Sequence, residues 1–238
     1  MDQNQSSFEQ FSAIMDILLG ENGCPWDKAQ THETLLHPLV EETYEVVDVI
    51  KKGDMDGLCE ELGDLLLQVV IHAKIAEKLG HFTLDDVCMG IAAKMKHRHP
   101  HVFGDTVVSG TGQVLDNWER IKRDEKGFAS HTAALRSVPD AMPALLKAAK
   151  VQDKAQKSGV LPTEETALGL EALKKAASQK ISKLGTEGSD FVVELGELLF
   201  AVVTISRKLQ VIPEFALTNA VEQFINRFEC VENNAENI

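Results

Sequence analysis

The sequence lacks any apolar stretch of the roughly 20 residues that a membrane-spanning helix requires. The longest apolar stretches, such as residues 65–71 with Gln68 among them, fall far short of that length. The first five residues, Met-Asp-Gln-Asn-Gln, contain no basic segment leading into an apolar one, so no secretory signal is recognised. We therefore expect a cytoplasmic protein that does not span a membrane.

Paired cysteines and an excess of basic residues are also missing. The absence of any C-x-x-C pair argues against a disulfide framework or a thiolate zinc site, and we expect four reduced thiols, at Cys24, Cys59, Cys88 and Cys230. With 24 Lys+Arg against 37 Asp+Glu, the net charge is −13, which disfavours non-specific binding to a nucleic-acid backbone. Nucleic acid is therefore not an expected partner, whereas metal cations would offset the charge.

No alternating strand pattern occurs, and helical periodicity dominates the chain. Apolar spacing, N-cap residues and glycine ends predict helices over 8–19, from Pro38 to about 52, from about 56 to 79, over 84–97 and over 114–126. The turn expected at Gly53 is short enough to make its two helices antiparallel. We predict an all-α fold.

An internal sequence repeat predicts a tandem duplication. The segment Glu-Leu-Gly-Asp-Leu-Leu-Leu-Gln-Val-Val at 61–70 recurs as Glu-Leu-Gly-Glu-Leu-Leu-Phe-Ala-Val-Val at 194–203, with seven identical positions in ten. Such self-similarity indicates a repeated helical unit. We place one unit at 1–130 and the other at 131–238. The acidity lies mainly in the first, with 12 Lys+Arg against 23 Asp+Glu, compared with 12 against 14 in the second.

Four carboxylates of the first unit form a candidate metal site. Residues three apart share a helix face, and such pairs occur at Glu42 and Glu45 and again at Glu61 and Asp64. A helical hairpin would bring the pairs together, where they would repel unless protonated or bridged by cations. Oxygen-only ligands suit Mg²⁺ or Mn²⁺, and Mg²⁺ commonly takes further oxygens from phosphates. A polyphosphate substrate follows. The competing interpretation is two solvated acidic helix faces.

The same pattern resembles the E-x-x-E…E-x-x-D signature of the MazG nucleoside triphosphate pyrophosphohydrolases, which belong to an all-α superfamily. The resemblance extends over nearly the whole chain. The further segments that carry it are Gly-Cys-Pro-Trp-Asp at 23–27, Gln-Thr-His at 30–32, Arg-His-Pro-His-Val-Phe at 98–103 and Asn-Trp-Glu at 117–119. Fuller members of this family carry two units in tandem.

The resemblance implies a homodimeric enzyme that hydrolyses nucleoside triphosphates, with Mg²⁺ and broad base tolerance, to the monophosphate and pyrophosphate. Water would attack the α-phosphorus in line with the leaving pyrophosphate. Spacing alone distinguishes neither this from attack at the γ-phosphorus nor one metal from two. Glu42, Glu45, Glu61 and Asp64 would be the metal ligands. Glu41 would orient water or contact the nucleotide, or it would be a solvated acid.

Three further residues are candidate substrate contacts. Lys94 and Arg98 match family positions that contact phosphate, and the alternative for them is a solvated basic helix face. Trp26 would stack on a base or serve as a packing anchor. The alternating histidines His97, His99 and His101 could suggest zinc, but their spacing around Pro100 favours loop structure or phosphate contact.

The second unit departs from the family pattern. The helix that should carry its first carboxylate pair, 171–181, has one acid, Glu171, beside Lys174, Lys175 and Lys180. Glu194 and Glu197 persist on the following helix. We therefore predict that 131–238 is a degenerate unit that binds no catalytic metal and serves in packing or dimerisation, whereas 1–130 is catalytic.

Two other functions compete with broad nucleotide hydrolysis. One is a catalytically weak nucleotide-binding protein with a regulatory or scaffold role. The other keeps the chemistry but narrows the substrate to a damaged or deoxy nucleotide. Identification of the phosphate product would distinguish a nucleotide-binding protein from an enzyme that hydrolyses the nucleotide.

Overall fold

A computed structural model describes residues 6–160, 168–185 and 190–235 of the chain. These residues form helices without strands, as the sequence predicts. The chain divides into two compact units, Met1–Lys122 and Arg123–Ile238, so the boundary predicted at 130 falls inside the second unit. Within the described ranges, no helix is long and apolar enough to cross a membrane.

The first unit contains seven helices in its described part. They are α1 Ser7–Leu19, α2 Pro25–Lys28, α3 Leu36–Lys52, α4 Met55–Lys78, α5 Leu84–Arg98, α6 Pro100–Phe103 and α7 Thr111–Lys126, the last of which runs across the division. The helix predicted from Pro38 begins two residues earlier. Pro38 fits its first turn because no intrahelical partner is needed there for a backbone N–H. The segment predicted as irregular, 100–112, contains α6.

The long helix α4 is the centre of the first unit. Helices α1, α3 and α5 each pack against it. Its core contacts come from Val70, Ile71 and Ala73, which lie with Met15 of α1, Leu35 before α3 and Leu84 of α5 in one buried cluster. Burial of these apolar side chains supplies the main stabilisation of the unit.

A second apolar stripe of α4 remains open in this chain. The apolar periodicity of α4 includes Leu62, Leu66 and Val69, yet these residues are between 39 and 49% exposed. The reason is that α4 is apolar on two sides, and the partners within the unit cover the side of Val70 and Ala73. The sequence periodicity identified the helix but selected only part of the face that becomes core.

The hairpin of α3 and α4 is set by two residues. Gly53 ends α3 in the left-handed conformation, with φ 70° and ψ 21°, which glycine adopts readily because it has no Cβ. Asp54 then caps α4, since its carboxylate accepts a hydrogen bond from the Gly57 N–H at 3.0 Å. A connection this short leaves the two helices antiparallel and in contact along their length.

The second unit contains five further helices in its described part. They are α8 His131–Arg136, α9 Ala144–Ser158, α10 Leu170–Lys183, α11 Phe191–Lys208 and α12 Pro213–Ala235. Helix α11 packs against α9, α10 and α12. Val203 of α11 is fully buried, and the Gln152 side chain of α9 donates a hydrogen bond to the Phe200 carbonyl at 2.8 Å.

Truncation of a core side chain should destabilise the first unit selectively. Met15 on α1 is 2% exposed, so we expect Met15→Ala to lower the free energy of unfolding by about 2–5 kcal/mol, through lost burial and a residual cavity. Ile17 on the same helix is 70% exposed, and Ile17→Ala should change it by less than about 0.5 kcal/mol. Urea unfolding followed by tryptophan fluorescence measures this, because Trp26 and Trp118 both lie in the first unit. Equal effects of the two substitutions would contradict the packing described.

Candidate active site

Three carboxylates meet where α3 and α4 lie side by side. Glu42 and Glu45 of α3 and Glu61 of α4 each offer an oxygen, and these oxygens all lie within 4.8 Å of one another. We call these residues the glutamate trio. The hairpin positions them because residues three apart on α3 share the face that contacts α4. Three of the four predicted ligands are thus brought together.

The fourth predicted ligand, Asp64, lies outside this tight group but acts on it electrostatically. Burial raises the pKa of Glu42, as do a hydrogen bond with Glu45 and the charges of Asp64, Glu45 and Glu61. The pKa of Glu61 is also raised, by desolvation first and then by Glu45 and Asp64. Like charges held this close disfavour full ionisation.

The donor set fits a hard divalent cation. Every ligand atom in the trio is a carboxylate oxygen, and such atoms suit Mg²⁺ or Mn²⁺. A bound cation would replace repulsion by attraction and let all the carboxylates ionise. Among the residues that the structure describes, no other group of three acids, histidines or cysteines converges in this way.

Glu41 lies beside the trio in sequence but has a partner of its own. Its carboxylate lies 3.4 Å from Nδ1 of His37, one turn earlier on α3, and both side chains are largely exposed. The pair is an ion pair when His37 is protonated. Glu41 is therefore an exposed acid that neighbours the trio in sequence.

The two predicted phosphate contacts differ in their surroundings. Lys94 is exposed on α5, whereas Arg98 is 9% exposed at the end of the same helix. The Cζ atom of Arg98 lies 5.2 Å from the centroid of the Trp118 ring, a cation–π distance. Trp118 belongs to a segment that carried the sequence resemblance, but sequence reasoning gave it no role. Its place in that segment was the available signal, and the contact with Arg98 could be found only from the fold.

The histidines around Pro100 do not converge as a metal site. The Nδ1 atom of His99 lies 2.6 Å from the Met95 carbonyl oxygen, and its ring meets the Trp118 ring edge-on at 5.0 Å. His101 lies beside His99, with 5.6 Å between ring centroids. His97 lies in α5 and His101 in α6, so of the three only His99 lies between helices.

Trp26 is a surface residue of the short helix α2. Its ring is well exposed, since the residue retains 64% of its accessible surface, and its carbonyl accepts a hydrogen bond from the Gln30 side chain at 2.9 Å. Exposure leaves the ring accessible to a base and argues against the packing-anchor alternative.

Comparison with known proteins identifies the family. Residues 30–103 match the family model of the MazG nucleotide pyrophosphohydrolase domain. The nucleoside triphosphate pyrophosphohydrolase of Escherichia coli K12 is 41% identical over 219 residues, which cover 89% of this chain and 81% of that protein. The chain belongs to the MazG family. The predicted protein class, a hydrolase of this family, is confirmed.

Other relatives of this MazG protein extend the comparison. The nucleoside triphosphate pyrophosphohydrolase/pyrophosphatase MazG of Thermotoga maritima is 38% identical over 94% of this chain and 85% of its own length. The uncharacterized protein YabN of Bacillus subtilis is 44% identical over 96% of this chain, which spans only 47% of that protein. A solved structure of a mazG-related protein from Thermotoga maritima covers 48% of this chain and 98% of its own, at 29% identity and a TM-score of 0.43.

The residues matched by the MazG model include the trio, Asp64, Lys94 and Arg98. Trp26 and Trp118 lie outside the matched range, as does the whole second unit. The second hairpin, of α10 and α11, differs at the corresponding place. Lys180 of α10 lies 2.5 Å from a carboxylate oxygen of Glu197 on α11, and this contact lowers the pKa of Glu197.

The other acids of the second hairpin are also engaged. The Gly185 N–H donates a hydrogen bond to Glu194 at 3.3 Å, and Lys174 pairs with Glu171 at 2.8 Å. The acids of the second hairpin named here thus pair with lysines or a backbone N–H, whereas three carboxylates of the first hairpin lie together. The described part of the second unit contains no group of three converging acids.

Removal of one charge from the trio should lower the pKa of the carboxyl groups that remain. Because the pKa values of Glu42 and Glu61 are raised in the folded state, the metal-free protein gains stability as the pH falls through those values and carries the full penalty above them. We expect Glu45→Gln to lower the pKa of Glu42 and to raise neutral-pH stability by less than about 1 kcal/mol, since the group is near the surface. Carboxyl ¹³C NMR titration and urea unfolding without metal measure both.

Asp48→Asn is the matched control for this substitution. Asp48 lies on the same helix but pairs with Lys52 at 2.5 Å, so its neutralisation should leave the Glu42 titration unchanged. A Glu42 pKa that is the same in the wild-type protein and Glu45→Gln would show that the carboxylates do not interact as described.

Proposed function

We propose that the first unit hydrolyses nucleoside triphosphates to the monophosphate and pyrophosphate, with Mg²⁺ or Mn²⁺ and broad base tolerance, in the cytoplasm. The observation that carries the proposal is the convergence of Glu42, Glu45 and Glu61 within 4.8 Å on the α3–α4 hairpin. Membership of the MazG family and the names of the relatives supply the reaction. Glu42, Glu45, Glu61 and Asp64 would hold the metal, which when bound supplies Lewis-acid stabilisation of charge on the phosphate oxygens.

The chain's own residues divide the remaining work by their chemistry. Arg98 would present its forked donors to phosphate while its Cζ atom stays 5.2 Å from the centroid of the Trp118 ring, a contact that limits its rotamers. Lys94, exposed on the same helix, would add a mobile point charge. Glu41 would orient the attacking water or contact the nucleotide, and Trp26 would stack on the base with its exposed ring.

The second unit would serve in packing or dimerisation. Lys180 already satisfies Glu197, and a fixed ammonium there would repel a divalent cation.

The open stripe of α4 in the first unit, with Leu62, Leu66 and Val69, supports assembly as a homodimer because soluble proteins seldom leave a contiguous apolar stripe exposed.

Neutralisation of single ligands tests the assignment. We expect Glu42→Gln and Asp64→Asn each to reduce pyrophosphate release by roughly 100-fold or more, the scale on which loss of one preorganised electrostatic group acts. The measurement is the identity and rate of the phosphate product from each nucleoside triphosphate with Mg²⁺, Mn²⁺ or EDTA. Release of orthophosphate and a diphosphate would contradict attack at the α-phosphorus.

The second hairpin provides matched controls. Glu194→Gln and Glu197→Gln make the same chemical change on α11, and we expect activity to stay within about twofold of the wild-type protein, because neither carboxylate lies in the trio. Equal losses in both hairpins would contradict a catalytic first unit. Tight nucleotide binding without turnover in the wild-type protein would instead favour the regulatory alternative.

A further inference from the structure

Two histidines outside the trio meet ring to ring in the first unit. His32 lies in the segment 29–35 between α2 and α3, and His72 lies on α4. Their Nδ1 atoms are 2.8 Å apart, their ring planes differ by 4°, and their ring centroids are 5.1 Å apart. The centroid separation exceeds the Nδ1–Nδ1 distance by about one ring diameter. Both nitrogens must therefore lie on the line that joins the centroids, and the rings meet edge to edge in nearly one plane.

That arrangement is the geometry of a linear N–H···N hydrogen bond. The N–H bond and the lone pair of an imidazole nitrogen point outward in the ring plane, and 2.8 Å is a hydrogen-bond distance. One of the two Nδ1 atoms carries a proton and donates the hydrogen bond, and the other Nδ1 atom accepts that hydrogen bond. The pair therefore shares one proton across the contact between the segment 29–35 and α4.

The surroundings of His72 indicate which residue donates. Its Nε2 atom is buried and has no hydrogen-bond partner among the described residues. A proton on that atom would leave a buried donor unsatisfied, a rarer condition than an unsatisfied acceptor. His72 thus carries its proton on Nδ1, and this N–H donates the hydrogen bond to Nδ1 of His32. The His32 ring carries its own proton on Nε2.

Charged groups near the pair are mostly engaged with each other. Lys74 of α4 lies 2.7 Å from Asp16 of α1 and 3.6 Å from Glu77, and the Lys28 ammonium donates to the Glu21 carbonyl at 2.7 Å. On α3 the first titratable groups, His37 and Glu41, pair with each other. On α5, Asp86 caps its own helix through Thr83. The remaining charged residues that line the cleft beside His32 are Asp27, Glu33 and Lys78.

Acid works against this contact. Burial lowers the pKa of His72, and the charge of His32 lowers it further. A histidine whose pKa is lowered in the folded state binds its proton more tightly in the unfolded chain. The stability that its neutral ring contributes is therefore fully present above the ordinary pKa of histidine and is lost as the pH falls below it. When both rings are protonated, two N–H groups face each other across 2.8 Å and no acceptor remains.

We propose that His32 and His72 are positioning residues whose shared proton holds the segment 29–35 on α4 and so sets the start of α3, which carries Glu42 and Glu45. Leu35, at the end of that segment, is the N-cap of α3 and is buried in the core cluster. Loss of the histidine contact would loosen the first turns of α3 against α4. The consequence for catalysis rests on the proposed function, whereas the contact itself does not.

A through-bond measurement tests the contact directly. In the full-length protein with ¹⁵N-labelled histidine, at about pH 7.5, we expect an NMR scalar coupling between the two Nδ1 nuclei across the hydrogen bond, and one strongly downfield proton between them. The coupling should vanish in His72→Phe. A folded wild-type protein without the coupling overturns the proposal.

Substitution by asparagine separates positioning from bulk packing. His72→Asn keeps an amide N–H close to the Nδ1 position but cannot be protonated, so we expect near wild-type stability at about pH 7.5 and a flatter response to acid. Between about pH 6.5 and about pH 5.5, the folding equilibrium constant of the wild-type protein should fall relative to that of His72→Asn by up to about tenfold per pH unit for one linked proton. Tryptophan fluorescence in urea without metal measures this, and the carboxylates of the trio contribute equally to both proteins.

His81→Asn is the control, because His81 is an exposed histidine just after α4, and its pH response should match that of the wild-type protein. His32→Ala should lose stability already at about pH 7.5. An acid response of His72→Asn equal to that of the wild-type protein overturns the proposal. A rate of pyrophosphate release that falls with pH in parallel with the stability would show that the histidine contact also positions the carboxylates of α3. If no variant or wild-type protein releases pyrophosphate while the coupling and the acid difference persist, the proposed function fails and the histidine contact stands.

Discussion

Repulsion among the carboxylates on the α3–α4 hairpin is the constraint around which the first unit is organised. Burial, and then the closeness of Glu42, Glu45 and Glu61 to one another, raises the pKa of Glu42 and of Glu61, an arrangement that weakens the metal-free fold. Such a cluster persists only on a rigid support. The buried core of α4, on the side of Val70 and Ala73, and the two-residue turn at Gly53 provide that support.

The second unit solves the same electrostatic problem without a metal. Its α10–α11 hairpin places the Lys180 ammonium against Glu197, and the Gly185 N–H against Glu194. A covalently attached cation is always present, whereas a free ion must be bound from solution and can also bind phosphate. The two hairpins thus share a helical framework and differ in whether a lysine ammonium lies against their acids.

Helix α4 connects the parts of the first unit that matter for the site. It carries Glu61 and Asp64 in its first half. In its second half it carries His72, whose Nδ1 atom lies 2.8 Å from Nδ1 of His32 in the segment before α3. The buried residues between these positions, Val70 and Ile71, make the helix a stiff element. A disturbance at the histidines would therefore be transmitted to α3 through its starting point rather than through α4 itself.

Much of this could be predicted from the sequence, because helix caps, 3.6-residue periodicity and the i, i+3 carboxylate pairs depend on residues close together in the chain. The all-helical class, the turn at Gly53 and the first hairpin follow from such local rules, and the lysines of α10 already stand out against the acids of α3. The tertiary structure decided what depends on distant contacts. It buried one apolar side of α4 and left Leu62 and Leu66 open, placed Arg98 on Trp118, and joined His32 to His72 across 40 positions of sequence. No periodicity encodes these pairings, since each arises from the way whole helices pack.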